Sequence, residues 1–374
     1  MNQPLLRLEN IDKFYGTIDA GVHAVKDINL EVEQGDIVAL LGSSGCGKTS
    51  TLRMVAGFES TSRGKIHLAG REVHMLRPVK RNVAMAFEGY SLYPTVSVRD
   101  NIAFALKATS LSAGDITSKV DDIASMLEIS DILERFPSSI SGGQQQRASL
   151  ARALIRDADL HLLDEPMGQL EPQLRTLLRG RIKHYVKERG LTAILVTHDQ
   201  TEANALADKI AVMEDGELQQ YASPEEIKER PANLFTGTFI GEPPMNVFPA
   251  VVSSANGKLD LKLEGGLDLS YPEGDFAPDV REKLLSMKDV VIGVRPYAVK
   301  LSDEGAPGIV IANQWLGDQS HIAAKFAGGT IVLVEHDRAK LEEGQPISVI
   351  LDPASLHVFN PASGMAVSHG QDIA

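Results

Sequence analysis

The first part of the chain alternates between hydrophobic and polar positions. In the segment AVKDINLEV the apolar residues fall close to a period of two, at Val25, Ile28, Leu30 and Val32, and after Gly35 the segment DIVALLG is almost entirely apolar. Alternation predicts a half-buried strand, whereas a short apolar run bounded by turn residues predicts a strand buried on both faces. We therefore expect β-structure packed beside a buried strand in this region.

Further along the chain the apolar period becomes that of a helix. Ile116, Val120, Ile123 and Leu127 recur at helical spacing, so residues from about 95 to 150 are predicted to form a helical insert. The apolar segments LHLLD and AILVT follow, and IAVMEDGEL is typical of a β-hairpin. Strands that alternate with helices predict a mainly parallel sheet, in which ligands bind at the carboxyl ends of the strands.

The composition changes again near IGEPPMNVF, where glycine and proline punctuate the chain. The later segments VVIGV, GIVIA, TIVLV and ISVIL have the length and spacing typical of strands in a small barrel or sandwich. A chain of 374 residues is expected to contain two or three domains. We place the boundary at about 236–247, with one domain at residues 1–236, a β-rich domain at residues 237–374, and a loose tail after Pro361.

Charge and composition exclude several classes of protein. A net charge of −13 argues against a nucleic-acid-binding protein, because phosphate backbones attract an excess of lysine and arginine. No stretch approaches the length of uncharged apolar residues that a membrane span needs, and the first residues lack the pattern of a signal peptide, so we predict a soluble, cytosolic chain. The single cysteine, Cys46, excludes a disulfide framework and a cysteine-based zinc site.

The buried segment DIVALLG leads into a glycine-rich loop at residues 42–50. The loop fits the pattern GxxxxGK[ST], in which glycines let backbone N–H groups converge on phosphate oxygens at a helix N-terminus. Lys48 is expected to reach the β- and γ-phosphates, and Thr49 to place its hydroxyl on Mg²⁺. The predicted nucleotide contacts come from the whole loop: Gly42, Ser43, Ser44, Gly45, Cys46, Gly47, Lys48, Thr49 and Ser50.

Two later strands are predicted to bring acids and a histidine to the same edge of the sheet. Asp164 and Glu165 end the strand LHLLDE, 115 residues after the loop, and His198 ends the strand TAILVTHD. Asp164 is expected to hold Mg²⁺, and Glu165 to position and deprotonate the attacking water. We expect His198 to contact the γ-phosphate, although a lone histidine is more often a surface or capping residue.

The segment SISGGQQQR opens a further polar helix. Ser141, Gly142 and Gly143 stand at its predicted start, where a hydroxyl and backbone amides can form a second anion site. An ordinary capped helix would give the same pattern, and the residues alone leave both interpretations open.

The segments GSSGCGKT, SGGQQQR, LHLLDEP and VTHDQTEA, in this order and spacing, resemble the nucleotide-binding subunit of an ATP-binding cassette (ABC) transporter. The resemblance covers the whole chain, and RPANLFTGTFIGEPPMN, GVRP, WLGD and LDPASLHVF are similar to the branch that powers uptake of sugars and glycerol phosphate. It implies an α/β fold, in which a P-loop NTPase domain combines a RecA-like parallel sheet with antiparallel β and helical subdomains. An all-β, OB-type (TOBE) domain with regulatory and dimerisation roles would follow.

The resemblance also implies partners and further contacts. Tyr15 would stack on adenine, and the segment of Ser141, Gly142, Gly143 and Gln144 would cover the γ-phosphate bound by a second copy of the subunit, or by a paralogous ATPase subunit. Hydrolysis of ATP with Mg²⁺ would energise import through two integral membrane permease subunits, supplied by an extracytoplasmic solute-binding protein. The chain would lie peripherally on the cytoplasmic face of the bacterial inner membrane.

Two acidic residues depart from the family pattern. Glu88 stands where the family places a glutamine that contacts Mg²⁺ and water, and we keep Glu88 as the predicted metal and nucleotide contact there. Glu171 stands where an aspartate is usual, and Gly168 where a serine is common; Glu171 and Pro172 are predicted to start the next helix. Either hydrolysis survives with altered coupling to transport, or both exchanges are neutral.

Three functions are compatible with these motifs. The first is an ATPase that energises solute import. The second is a regulatory protein, or a partly degenerate partner subunit, that uses ATP mainly as a dimerisation switch. The third is a cassette ATPase of DNA repair or translation, against which the acidic charge and the single cassette argue. The sequence does not name the solute, so sugar, polyol and glycerol phosphate all remain open.

Overall fold

The computed structural model describes residues 3–16 and 21–373. The chain divides into two compact units, residues 1–224 and residues 225–374. This division precedes the composition change at 236–247, because the segment after residue 224 packs within the second unit: Leu234 donates its N–H to the Gly364 carbonyl at 2.7 Å. No helix in the described ranges is long and apolar enough to cross a membrane.

The first unit mixes strands and helices. Its strands are β1 (Leu6–Tyr15), β2 (Val22–Val32), β3 (Ile37–Gly42), β4 (Arg63–Leu68), β5 (Arg71–Glu72), β6 (Val83–Ala86), β7 (Leu160–Asp164), β8 (Ala193–Thr197), β9 (Lys209–Glu214) and β10 (Glu217–Ala222). Its helices are α1 (Lys48–Ala56), α2 (Val98–Ala103), α3 (Ala113–Met126), α4 (Gly142–Leu154), α5 (Pro172–Glu188) and α6 (Gln200–Leu206). Short 3₁₀ turns lie between α2 and α4.

A six-stranded sheet forms the centre of this unit, with strand order β10-β9-β3-β8-β7-β6. Strands β9, β3, β8, β7 and β6 are parallel, and β10 closes one edge antiparallel to β9. Every residue of β3, β7 and β8 is buried, as expected for parallel strands covered on both faces. The carboxyl ends of β3, β7 and β8 therefore meet at one edge, which confirms the predicted parallel sheet.

A second sheet, of order β2-β1-β4-β5, is antiparallel. Strand β2 carries an irregularity at Asp27, whose φ of 46° lies in the left-handed region, and its pairing with β1 shifts register nearby. Because a bulge moves the side-chain pattern by one position, Val25 and Ile28 both face the core although they are three residues apart. The predicted alternation is confirmed, and the bulge explains its uneven spacing.

The helical insert predicted at about 95–150 corresponds to α2, α3 and α4. Ser112 and Ser141 are the N-cap residues of α3 and α4, and each forms a capping box. The serine hydroxyl accepts the backbone N–H of the residue three positions later, and the side chain of that residue, an acid or an amide, accepts the serine N–H. Val120, Ile123 and Leu127 are buried, as the helical spacing predicts. Glu171 is the residue before α5, with Pro172 as its first helical residue, which confirms the predicted start.

The second unit is built mainly from strands. They are β11 (Asn246–Ala255), β12 (Lys258–Leu263), β13 (Asp268–Pro272), β14 (Asp289–Val294), β15 (Val299–Ser302), β16 (Ala306–Trp315), β17 (Ser320–Phe326), β18 (Gly329–Glu335), β19 (Pro346–Leu351), β20 (Leu356–Phe359) and β21 (Ala366–His369). Its helices are α7 (Pro224–Glu229), α8 (Leu234–Phe239), α9 (Pro278–Met287) and α10 (Gly370–Ile373). The β-rich prediction is confirmed, and α9 is a ten-residue helix that it did not include.

The strands of this unit form two sheets, of orders β13-β12-β11-β14-β20-β21 and β15-β19-β16-β17-β18. The apolar faces of both sheets contribute to one core, in which Phe248 and Phe326 meet edge to face at 5.3 Å. Asn246 joins the sheets through its side chain: Oδ1 accepts from the Val332 N–H at 2.7 Å, and Nδ2 donates to the Val332 carbonyl at 2.8 Å. Such packing is typical of a small sandwich or barrel.

The prediction of a loose tail after Pro361 is wrong. Strand β21 pairs with β20, and the Ile373 carbonyl accepts the Ala277 N–H at 2.6 Å. Asp372 forms two hydrogen bonds with Arg230, at 2.8 and 2.9 Å. The tail is ordered because these long-range partners satisfy its backbone and charge, and a local composition rule does not detect them.

Candidate nucleotide site

The loop at residues 42–50 joins β3 to α1. A Cβ atom at Gly42 would lie 2.2 Å from the Met213 carbonyl oxygen on β9, so the close approach of β9 requires glycine there. Lys48 is 7% exposed, and its ammonium donates to the carbonyls of Gly42 and Ser43, both at 2.8 Å. The loop thus wraps around a buried positive charge at the N-terminus of α1, which is the arrangement that phosphate groups require.

Asp164 lies at the end of β7, next to the loop. It is 3% exposed, and the Thr49 hydroxyl donates to its Oδ1 at 3.4 Å. Burial, followed by the charges of Glu88 and Glu165, raises the pKa of Asp164 to about 6. A buried carboxylate beside other negative charges is stabilised by a cation, and the pair of Thr49 and Asp164 supplies the hard oxygen donors that Mg²⁺ prefers.

Glu165 and His198 meet across the ends of β7 and β8. His198 Nδ1 lies 2.9 Å from Glu165 Oε1. Because a carboxylate can only accept, Nδ1 carries a proton and donates, and Nε2 is the nitrogen left for a ligand. The backbone of Glu165 is left-handed, with φ of 47°, a conformation that is uncommon outside functional sites and turns. The structure therefore brings Lys48, Thr49, Asp164, Glu165 and His198 to one sheet edge.

The start of α4 has the geometry of a capped helix. The Ser141 hydroxyl accepts the Gln144 N–H at 3.3 Å, and Gln144 Oε1 accepts the Ser141 N–H at 3.0 Å. The ordinary capping role of Ser141 is thus present. The N–H groups of Gly142 and Gly143 occupy the first two helical positions, which have no partner within a helix and keep the potential to bind an anion.

Tyr15 and Glu88 complete the predicted contacts. Tyr15 is 39% exposed, so it is not a core aromatic. Its hydroxyl lies 3.1 Å from the Ser50 hydroxyl, and Lys13 Nζ lies 4.9 Å from its ring centre. Glu88 is exposed, two residues beyond β6. Its carboxylate is close enough to raise the pKa of Asp164.

The sequence matches the family described as ABC transporter over residues 25–168, and the TOBE domain family over residues 292–359. It is 36% identical to the trehalose/maltose import ATP-binding protein of Thermococcus litoralis, with 97% of this chain and 99% of that protein covered. The chain belongs to the family of ATP-binding proteins of ABC transporters. Its first unit carries the ABC ATPase fold, and a TOBE domain follows.

Other relatives have the same extent. The chain is 38% identical to the sn-glycerol-3-phosphate import ATP-binding protein of Cereibacter sphaeroides, and the match covers 96% of this chain and 98% of that protein. It is 35% identical to the xylose/arabinose import ATP-binding protein of Haloferax volcanii, with coverages of 97% and 95%. A dimeric ABC cassette solved with ADP and Pi has the same fold over 59% of this chain, at a TM-score of 0.55 and 24% identity.

Sequence reasoning missed two residues that connect elements of this ABC ATPase unit, the buried Gln146 and the half-buried Arg175. Gln146 on α4 contacts Glu165, and Arg175 on α5 donates to Asp199 Oδ2 at 3.0 Å and to the Leu170 carbonyl at 3.2 Å. A signal for Gln146 was present, because it lies four residues before Leu150 on the apolar face of α4. A polar residue on an apolar face requires a buried partner.

Proposed function

We propose that this chain binds ATP with Mg²⁺ and hydrolyses ATP to energise the import of a carbohydrate-type solute: a sugar, a polyol or glycerol phosphate. One observation carries the proposal. Strands β3, β7 and β8 end at the same edge, and Lys48, Thr49, Asp164, Glu165 and His198 lie at or directly after these strand ends. Thr49 and Asp164 are 3.4 Å apart, and Glu165 and His198 are 2.9 Å apart. This combination supplies a phosphate cradle, a metal ligand and a base.

Each side chain has a defined role in this proposal. Lys48 neutralises the β- and γ-phosphates, with the loop N–H groups and the positive end of α1. Glu165 accepts the proton of the attacking water, for which its carboxylate is held at the sheet edge. His198 keeps Glu165 oriented through Nδ1, and with a second proton on the ring its Nε2–H would donate to the γ-phosphate.

The metal site fits Mg²⁺. Thr49 and Asp164 would hold the ion, which would spread the developing charge on the phosphate oxygens. Asp164 is buried with two acidic neighbours, and burial together with the charge of Glu88 raises its pKa more than Arg53 and Thr49 lower it, which supports a cation at this position. Glu88 is the proposed additional contact to the metal and nucleotide, and its longer reach and negative charge distinguish it from a neutral glutamine.

A second copy of the chain, or a paralogous ATPase subunit, completes the site. The anion-binding potential of Gly142 and Gly143 at the start of α4 supports a role in covering the γ-phosphate of the partner, with Ser141 and Gln144 as the cap. Tyr15 is exposed beside Ser50 of the loop, which supports stacking on adenine. Binding energy of ATP would then hold the dimer, and hydrolysis would release it.

The solute class and the membrane partners are inferred from the relatives. They are import ATP-binding proteins for trehalose/maltose, sn-glycerol 3-phosphate and xylose/arabinose, which supports a carbohydrate-type solute, two integral membrane permease subunits and a solute-binding protein. The chain would work at the cytoplasmic face of the inner membrane. Residues 1–236 would contain the ATPase machinery, and residues 237–374 would contribute dimerisation and regulation.

Phosphate release from Mg²⁺-ATP by the purified chain tests the proposal. Wild-type protein is expected to turn over, and Glu165→Gln to lose turnover while it still dimerises with ATP. The control is Glu188→Gln, since Glu188 is an exposed acid at the end of α5. If the wild type dimerises with ATP but releases no phosphate, the alternative, an ATP-dependent dimerisation switch, is favoured. If Glu165→Gln keeps the wild-type turnover, Glu165 is not the base.

A further inference from the structure

We propose that Gln146 is a positioning residue, which ties the anion-binding start of α4 to Glu165 of the same chain. Through this connection, an anion bound at Gly142 and Gly143 would set the position of Glu165 in the chain's own site. The inference rests on the proposed function, because it assigns a supporting residue to the hydrolytic step in which Glu165 acts as the base.

The amide of Gln146 makes two hydrogen bonds to the loop that follows β7. Nε2 donates to the Glu165 carbonyl at 2.8 Å, and Oε1 accepts the Gln169 N–H at 3.0 Å. Gln146 is 5% exposed, so its amide is buried and depends on these two partners. One donor and one acceptor are needed at fixed positions, and the amide supplies them without a charge from two separate atoms.

The same loop lies directly against the start of α4. A Cβ atom at Gly142 would be 2.6 Å from Gln169 Oε1, and one at Gly143 would be 3.1 Å from the Gln169 carbonyl oxygen. Gln169 is therefore in contact with the helix start on one side and with Gln146 on the other. The contact at Gly143 is with the backbone of Gln169, and Gln146 holds both the Gln169 N–H and the Glu165 carbonyl, so we expect the start of α4 and Glu165 to shift together.

The backbone of Glu165 is expected to respond to the loss of these contacts. Its φ of 47° is a left-handed conformation that persists where the surroundings enforce it. The contacts that hold this backbone are the Val196 carbonyl, which accepts the Glu165 N–H at 3.0 Å, and two donors to the Glu165 carbonyl: Gln146 Nε2 at 2.8 Å and the more distant Gly168 N–H at 3.4 Å. Without the Gln146 donor the backbone can relax, and the carboxylate would leave the position in which it accepts from His198.

Two substitutions remove the connection in different ways. Gln146→Met keeps the volume and removes both hydrogen bonds, whereas Gln146→Glu keeps the acceptor for Gln169 and removes the donor to Glu165 at high pH. Gln145→Met is the matched control, because Gln145 is the neighbouring glutamine and its Nε2 donates to Pro137 and Ile140 carbonyls at 3.0 and 3.3 Å, away from Glu165. Melting temperatures verify that each variant is folded.

We expect Gln146→Met to lower kcat for ATP about 10- to 100-fold, as for the loss of a buried hydrogen bond, with KM for ATP within about twofold of wild type. In Gln146→Glu the ratio of kcat to that of wild type should rise from pH 8.5 to pH 6, because the protonated carboxyl regains a donor for the Glu165 carbonyl. Gln145→Met should keep the wild-type kcat.

The outcomes separate this inference from the proposed function. If wild type hydrolyses ATP and a folded Gln146→Met retains its kcat, or if KM rises while kcat is unchanged, the positioning role is refuted. A pH-independent ratio for Gln146→Glu also contradicts it. If wild type itself releases no phosphate, the proposed function fails before the variants are compared.

Discussion

Replacing Asp164 by asparagine is expected to stabilise the ATPase unit while it abolishes turnover. The pKa of Asp164 in the folded chain is about 6, above the ordinary value of 3.8, so the folded state binds this proton more tightly than the unfolded chain does. Its contribution to stability is greatest below pH 4 and is lost as the pH rises through 6. Above that range the ionised carboxylate destabilises the folded state, and Asp164→Asn removes this destabilisation.

The size of the gain follows from the two pKa values. A difference of about two pKa units corresponds to ~3 kcal/mol of unfolding free energy. The new amide offsets part of this gain, because its N–H donors are buried. We expect a net gain of about 1–3 kcal/mol at pH 8, which raises the melting temperature of a unit of this size by roughly 2–12 °C.

Calorimetry of metal-free protein between pH 4 and pH 8.5 measures this effect. The transition of the first unit is identified by its upward shift with ATP, and the difference between variant and wild type should shrink to near zero at the acid end. A variant that melts at the wild-type temperature at pH 8, or a difference that is constant with pH, would refute the electrostatic origin of the gain. Phosphate release should be lost at every pH.

Further substitutions test other parts of the site and of its support. Glu88→Gln should lower the pKa of Asp164, because it removes the second-largest cause of the shift, and so move the acid limb of the ATPase pH profile to lower pH; an unchanged limb argues for neutral drift at Glu88. Arg81→Met should destabilise the first unit by about 3–5 kcal/mol in urea unfolding. Arg81 is 2% exposed, and its guanidinium donates to carbonyls of Leu76, Met54, Val55 and His74, which the substitution leaves without this donor; a loss below about 1 kcal/mol contradicts this. Burial raises the pKa of Glu202 to about 7, so wild type should lose up to ~3 kcal/mol relative to Glu202→Gln as the pH rises from 4 through 7, which melting curves across this range would detect.

Local signals allowed much of the site to be predicted. The glycine-rich loop, the strand ends at Asp164 and His198, and the helix start at Pro172 each follow from a few adjacent residues whose backbone preferences agree with the fold. The bulge at Asp27 and the ordered tail could not be predicted in this way, because each depends on partners distant in the sequence. The role of Arg81 was equally hidden, since its four acceptors are backbone carbonyls, which are present at every position.

The residues that the sequence did not reveal explain how an unfavourable charge arrangement is maintained. Asp164 and Glu165 are adjacent, and Glu88 is near enough to raise the pKa of Asp164. These like charges would separate if the loops that carry them were free to move. Gln146 fixes the Glu165 carbonyl, a connection made through the backbone that leaves the carboxylate itself free to act. Neutral hydrogen bonds thus keep these carboxylates close together, and a bound cation would reduce the repulsion between them. We therefore expect nucleotide to bind markedly more tightly with Mg²⁺ than without it.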